Sequence, residues 1–159
     1  MNIFTIGYEG LDVLSFVALL LENNVQKVVD IRELPLSRKP GFSKRALAQT
    51  LADSGLDYEH MVKLGCPKPV RDQYKTDGSW RQYTKGFLRH LHNQAPAIEE
   101  LAAVASRSSC ALLCFEADYR FCHRSFVADA VSDVSGAKVR HLIARNVRTA
   151  SPALSLRLA

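Results

Sequence analysis

Cys110-Ala-Leu-Leu-Cys-Phe115 is an uninterrupted apolar run in the second half of the chain. It lacks the alternation of polar and apolar side chains that marks a half-exposed strand, and is therefore typical of a parallel strand buried under helices. Four further strand-like segments, at residues 3–6, 25–31, 56–60 and 137–143, alternate with five helical patterns. This alternation predicts an α/β fold with three layers, in which helices flank a mostly parallel sheet.

The helices are predicted from hydrophobic spacing and from residues that begin or end a helix. Trp80, Tyr83, Phe87 and Leu91 recur at intervals of three, four and four residues, which places them on one helical face. Gly or Pro occupies three of the first five positions of the stretch 65–79, which is therefore predicted to be a long surface loop.

Length and charge indicate a single domain followed by a basic C-terminal segment. The 159 residues are 47% hydrophobic and 23% charged, values typical of a globular protein rather than a disordered or membrane-embedded one. The net charge of +5 arises after Val134, where there are five cations and no acid. We therefore predict one α/β domain at 1–143 and a basic, flexible tail at 144–159. A uniformly basic surface for nucleic acid is not indicated.

The cysteines and the N-terminus indicate a cytoplasmic protein. The chain begins Met1-Asn2-Ile3-Phe4, without the basic segment and cleavage site of a secretory signal, and no apolar run is long enough to cross a membrane. Four cysteines are present, but a chain of this length can bury its own core without disulfides. All four are therefore expected to be reduced thiols.

Polar side chains gather at the carboxyl ends of the predicted strands, where parallel sheets bind ligands. Gly7 and Tyr8 follow the first strand, Asp30 and Arg32 end the second, and the segment 116–124 follows the apolar run. Because these ends share one edge of the sheet, we expect the side chains to surround one site.

The densest group of polar residues runs from Cys114 to Arg124, and its last three residues, Cys122-His123-Arg124, are predicted to form the first turn of the last long helix. Unpaired amides and the positive end of the helix dipole favour an anion there and lower the pKa of a thiol. The alternative is a buried cysteine that packs beneath the helix, with Arg124 paired to Asp30 for structural reasons.

Each of these residues has a predicted role. Arg32 and Arg124 are expected to hold an anion, and Glu116 is the candidate general acid or base. Asp30 would orient an arginine or a substrate hydroxyl, and Cys122 is a candidate nucleophile. No metal and no cofactor is assigned to this site.

The same residues carry a family resemblance. Thr5-Ile6-Gly7-Tyr8-Glu9-Gly10, Val29-Asp30-Ile31-Arg32 and the block Cys114-x-Glu116-x5-Cys122-His123-Arg124 resemble the domain of unknown function 488. The resemblance runs in order from about Ile3 to His141, and it implies a Rossmann-like domain without an established activity. Many members carry His-Ser where this chain has Tyr8-Glu9.

The favoured interpretation is an enzyme-like domain that binds an anionic, phosphate-bearing ligand such as a nucleotide or part of a nucleic acid. Gly7, Tyr8, Arg32, His123 and Arg124 are the predicted ligand-binding residues. Two alternatives stay open. One is a non-catalytic binding or regulatory module for nucleic acid or protein. The other is a redox or zinc-binding protein that uses Cys114 and Cys122.

Overall fold

A computed structural model of the protein describes residues 1–144, and its centre is a sheet of five parallel strands. Across the sheet the strands lie in the order β3-β2-β4-β1-β5. The buried apolar run forms β4, at the middle of the sheet, as its composition predicts. The strands are β1 (Asn2–Gly7), β2 (Lys27–Asp30), β3 (Asp57–His60), β4 (Cys110–Cys114) and β5 (Lys138–Leu142).

Six helices cover the two faces of the sheet, which confirms the three-layer α/β fold. α1 and α2 pack on one face, while α4, α5 and α6 pack on the other. Short 3-10 turns at Val62–Leu64 and Tyr119–Phe121 complete the described chain. The helices are α1 (Val13–Glu22), α2 (Lys44–Asp53), α3 (Lys68–Asp77), α4 (Trp80–His92), α5 (Ala95–Arg107) and α6 (Arg124–Ser135).

Successive side chains of the central strands point into opposite layers. In β4, Leu112 belongs to the core beneath α5 and α6, whereas Ala111 and Leu113 belong to the core beneath α1 and α2. The period of two is the ordinary geometry of a strand. Because both layers are apolar, β4 needs apolar residues on both faces, and this requirement explains the uninterrupted run.

β1 and β4 are parallel neighbours in the sheet, but the connections that follow them run in opposite directions across it. From β1 the chain passes through α1 to β2 on one side, and from β4 it passes through α6 to β5 on the other. In open α/β sheets, ligands bind outside the carboxyl ends of the strands at such a reversal. The topology therefore places a crevice next to Tyr8, Phe115 and Glu116.

Two predicted elements are wrong. The stretch 65–79 is not a long loop, because residues Lys68–Asp77 form α3. Its Pro69 lies in the first turn, where the missing N–H of proline has no helical partner to lose, and Gly78 ends the helix with a positive φ of 63°. Also, α6 begins at Arg124 with His123 at its N-cap, so Cys122 precedes the first helical turn.

The predicted domain boundary and tail are left as predictions. Except for Ala144, the basic segment 144–159 lies outside the described residues. Within residues 1–144, no helix is long and apolar enough to cross a membrane.

Candidate functional site

A cleft of about 770 Å³ opens at the carboxyl edge of the sheet. It lies between the loops that follow β1, β2 and β4 and one face of α3. Its walls carry five aromatic rings, four cationic side chains and two carboxylates. The rings belong to Tyr8, Tyr74, Tyr83, Phe115 and Phe121, the cations are Arg32, Arg38, Arg71 and Lys75, and the carboxylates are Glu33 and Glu116.

Asp30 and Arg32 form a buried ion pair at the end of β2. Arg32 donates from Nε and Nη2 to the two carboxylate oxygens of Asp30, at 2.9 and 2.7 Å. The Tyr58 hydroxyl donates to the same carboxylate at 2.5 Å. Burial alone would lower the pKa of Arg32, but the hydrogen bonds and the charge of Asp30 raise it above its usual value. Asp30 thus lies behind Arg32 and does not line the cleft.

The remaining guanidinium nitrogen of Arg32 is also committed to the protein. Nη1 donates to the carbonyl of Phe42 at 2.7 Å and to the hydroxyl of Tyr8 at 3.3 Å. Tyr8 stacks on Phe42 with ring centroids 4.4 Å apart. Tyr8 and Arg32 therefore form a fixed wall of the cleft, and their roles as ligand-binding residues stay predictions.

Gly7 and Glu116 meet where β1 and β4 end. A Cβ atom on Gly7 would lie 1.8 Å from the carbonyl oxygen of Glu116, so only glycine allows this approach. Gly7 is buried behind the cleft, whereas Glu116 lines it. The function of Gly7 in this structure is to let the Glu116 backbone cross the end of β1.

Glu116 carries a carboxylate with few partners. Among the side chains of residues 1–144, the polar partner of its carboxylate is the sulfur of Cys114, at 3.8 Å. Burial raises the pKa of Glu116 and the nearby charge of Glu9 acts in the same direction, whereas a hydrogen bond from its own backbone N–H and the charge of Arg124 lower it. By contrast Glu33, the other carboxylate of the cleft, pairs with Arg71 at 2.6 Å.

Arg124 is completely buried beneath the cleft, where it connects β1 to the segment after β4. It donates to Thr5 Oγ1 at 3.2 Å, to the carbonyl of Ala117 at 3.2 Å and to the carbonyl of Glu116. Burial lowers its pKa to about 10, so the guanidinium is still charged at neutral pH. The alternative pairing of Arg124 with Asp30 is wrong, because Asp30 pairs with Arg32.

Cys114 and Cys122 are joined by a disulfide, so the expectation of four reduced thiols is wrong for this pair. Cys122 is buried, and its sulfur is not a free nucleophile in this state. Among the described residues, Cys66 and Cys110 are the free cysteines. The sequence alone did not indicate the pairing, since eight residues separate the two partners and the chain folds back through a 3-10 turn between them.

His123 fixes α6 to the end of β2. Its Nε2 atom lies 2.8 Å from the carbonyl oxygen of Ile31, and the ring lines the cleft. Burial lowers the pKa of His123 to about 4, so the ring is neutral at physiological pH. It does not supply the positive charge that an imidazolium would give to an anion site.

One side of the cleft is not predicted from the sequence. Arg71, Tyr74 and Lys75 lie on one face of α3, since they are spaced by three and four residues. Arg71 donates from Nη1 to Glu33 and to the carbonyl of Cys66, and in the described part of the chain its Nε and Nη2 have no partner. The spacing of Val70 and Tyr74 before Gly78 is a signal that would have identified this helix.

Comparison with protein families matches residues 12–131 to the family described as Domain of unknown function DUF488. The chain belongs to this family. The match includes the Asp30–Arg32 pair, α3 and the segment from Cys114 to Arg124, and it confirms the resemblance seen in the sequence. Gly7 and Tyr8 precede the matched residues.

Comparisons with curated proteins and with solved structures find no match. The family description supplies no activity, so the geometry of the cleft is the source of a functional hypothesis. Of the eight residues predicted for the site, Tyr8, Arg32, Glu116 and His123 line the cleft, while Gly7, Asp30, Cys122 and Arg124 support it from behind.

Proposed function

We propose that the cleft binds a nucleotide. The base would lie against an aromatic wall of Tyr8, Phe115 and Phe121, and the phosphate against a cationic wall of Arg38, Arg71 and Lys75. The observation that carries this proposal is the presence of both walls in one cleft at the reversal of the sheet. A volume of about 770 Å³ lies within the range of small-molecule sites.

The aromatic wall suits a planar ring. The side chains of Phe115 and Phe121 are 44% and 48% exposed, whereas phenylalanine side chains are more often buried. Phe115 also contacts the edge of Tyr8, with centroids 5.3 Å apart. Stacking on such rings contributes about 1–3 kcal/mol per nucleobase and tolerates any base.

The cationic wall suits a phosphate. Arg38 and Lys75 are exposed side chains that make no ion pair within residues 1–144, and Arg71 keeps one edge of its guanidinium free of protein partners there. Arg32 differs from Arg38 and Lys75 because Asp30 neutralises its charge, and it differs from Arg71, which pairs with Glu33, because all three of its guanidinium nitrogens donate to the protein. We therefore assign the phosphate to Arg38, Arg71 and Lys75 rather than to Arg32 and Arg124.

Glu116 is our candidate for proton transfer in a reaction of the bound ligand. Glu116 borders the cleft beside the aromatic wall, and its carboxylate forms no ion pair with another side chain of residues 1–144. A binding module would retain the two walls but would have no need of this carboxylate.

The experiment is a calorimetric titration of the disulfide form with the four nucleoside monophosphates, the matching nucleosides and ribose 5-phosphate. We expect at least one monophosphate to bind about tenfold or more tightly than its nucleoside and than ribose 5-phosphate, since either wall alone supplies only part of the binding free energy. Equal affinity for ribose 5-phosphate would exclude the role of the aromatic wall. Absence of binding by all four monophosphates would refute the proposal.

A further inference from the structure

Three metal-binding side chains converge at the cleft, which two of them, Cys114 and His123, line. The ligand atoms of Cys114, Cys122 and His123 all lie within 4.8 Å of one another, and all three residues are buried. Two thiolates and an imidazole are the donors that zinc prefers. Because the three side chains come from the end of β4 and the start of α6, both anchored in the core, their arrangement is fixed by the fold.

The hydrogen bonds of His123 leave one ring nitrogen free to bind a metal. A backbone carbonyl can only accept, so the Nε2 atom that lies 2.8 Å from the Ile31 oxygen carries the proton. The other nitrogen, Nδ1, then holds a lone pair and lies 3.9 Å from the sulfur of Cys122. A carbonyl that orients a histidine from the far side is a regular feature of metal sites.

Arg124 provides a second supporting contact. Its Nη1 lies 3.3 Å from the sulfur of Cys114, where a guanidinium stabilises a thiolate. The Cα atoms of the two cysteines are 7.6 Å apart, above the roughly 4.4–6.8 Å that disulfides usually span. At this separation the two sulfurs, once reduced, would be able to move apart by rotation of their side chains, without a movement of the backbone.

We propose that the reduced protein binds one zinc ion through Cys114 Sγ, Cys122 Sγ and His123 Nδ1. A dithiol reductant gives two electrons and two protons to the disulfide, which becomes two thiols while the reductant is oxidised to its own disulfide. Zinc binding then releases both thiol protons to solvent. A fourth position would be open to the cleft, which Cys114, His123 and Glu116 line, and the carboxylate of Glu116 lies 3.8 Å from the sulfur of Cys114.

Three protein ligands and one open position form the arrangement of zinc sites that act on a bound molecule, whereas structural sites use four protein ligands. The inference goes beyond nucleotide binding and does not depend on it, because the ligand titration above uses the disulfide form. Failure of one proposal therefore leaves the other to be judged on its own result.

The test is a metal titration of the full-length protein, reduced with a phosphine and then transferred to a metal-free buffer. We expect the reduced protein to bind one equivalent of Zn²⁺, and to give a thiolate charge-transfer band with Co²⁺. The oxidised wild-type protein should bind no metal, and this comparison requires no mutation. Cys122→Ser should lose the band, whereas Cys66→Ser, which removes a free thiol from the same cleft, should keep full stoichiometry.

Several results would overturn the zinc site. One is a reduced wild-type protein that binds well below one equivalent. Another is equal binding by the reduced and oxidised forms, which would place the metal elsewhere. Loss of the Co²⁺ band in Cys66→Ser but not in Cys122→Ser would also contradict it. If Cys122→Ser does not fold, the redox comparison on the wild-type chain decides the question.

Discussion

Gly7 and Glu116 are in direct backbone contact although 108 residues of chain separate them. The position of a Cβ on Gly7 falls 1.8 Å from the carbonyl oxygen of Glu116 and 3.0 Å from Nη1 of Arg124. Arg124 donates to that same carbonyl. These contacts join three segments at one point: the end of β1, the segment after β4 and the start of α6. They fix the position of the Glu116 backbone, and with it the position at which the Glu116 side chain enters the cleft.

Gly7→Ala is expected to be severely destabilising, because the obstacle is backbone rather than a side chain that can move. We expect a loss of more than about 4 kcal/mol in the free energy of unfolding, or failure to fold. Urea unfolding followed by circular dichroism measures it. The control is Gly78→Ala, where a Cβ meets open space at a positive φ, and the expected cost is only about 1–2 kcal/mol of backbone strain. Similar stability of both variants would contradict the contact.

Asp30→Asn is expected to destabilise the fold by about 3–5 kcal/mol, because it leaves the Arg32 charge buried without its partner. Asp72→Asn is the matched control, since Asp72 pairs with Lys68 at the surface and such pairs contribute little. Thermal or urea unfolding of the two variants at neutral pH compares them. A wild-type midpoint for Asp30→Asn would show that the buried pair is not a structural element.

The position of the cleft could be predicted from the sequence, because it follows from the order of strands and helices. Parallel strands put their carboxyl ends on one edge, and this rule alone brings Tyr8, Arg32 and Glu116 together. The hydrogen-bond partners of Arg32 and Arg124 could not be predicted. Arg124 bonds to Thr5, which lies 119 positions away, and Arg32 bonds to the carbonyl of Phe42. Such partners become neighbours only after the layers pack.

The part of the cationic wall that lies on α3 could not be predicted, for a different reason. Pro67 and Pro69 are typical of a loop, but a proline in the first turn also favours the start of a helix. Without α3, Arg71 and Lys75 had no predicted location near the sheet edge. The disulfide could not be predicted either. The number of cysteines and the length of the chain indicate only whether a fold needs a disulfide, whereas the formation of this one depends on where the 3-10 turn at Tyr119–Phe121 places Cys122.

The free thiols should react slowly and in a pH-dependent way. Burial raises the pKa of both Cys66 and Cys110 to about 11, although hydrogen bonding to Tyr83 opposes this for Cys66. Since the thiolate is the nucleophile, a rise from the usual value of 9.0 lowers its fraction about 100-fold at pH 8. Alkylation rates of both residues should therefore climb through pH 9 and 10.

Mass spectrometry after timed treatment with iodoacetamide measures these rates residue by residue. Cys66 borders the cleft and should react before Cys110, which lies within β4. Cys114 and Cys122 should stay unmodified unless the protein is first reduced. A rate for Cys66 that levels off below pH 9 would contradict the raised pKa.

If the α3 residues of the cationic wall, Arg71 and Lys75, hold the phosphate of a nucleotide, removal of one of these charges should weaken the binding of that nucleotide. The nucleoside monophosphate that binds the wild-type protein most tightly is titrated into Lys75→Ala and into Lys85→Ala, in which an exposed lysine is removed from α4, away from the cleft. We expect a dissociation constant about tenfold higher for Lys75→Ala, because one charge-assisted hydrogen bond is lost, and an unchanged constant for Lys85→Ala. Equal dissociation constants for both variants and the wild-type protein would show that the phosphate does not bind at this wall.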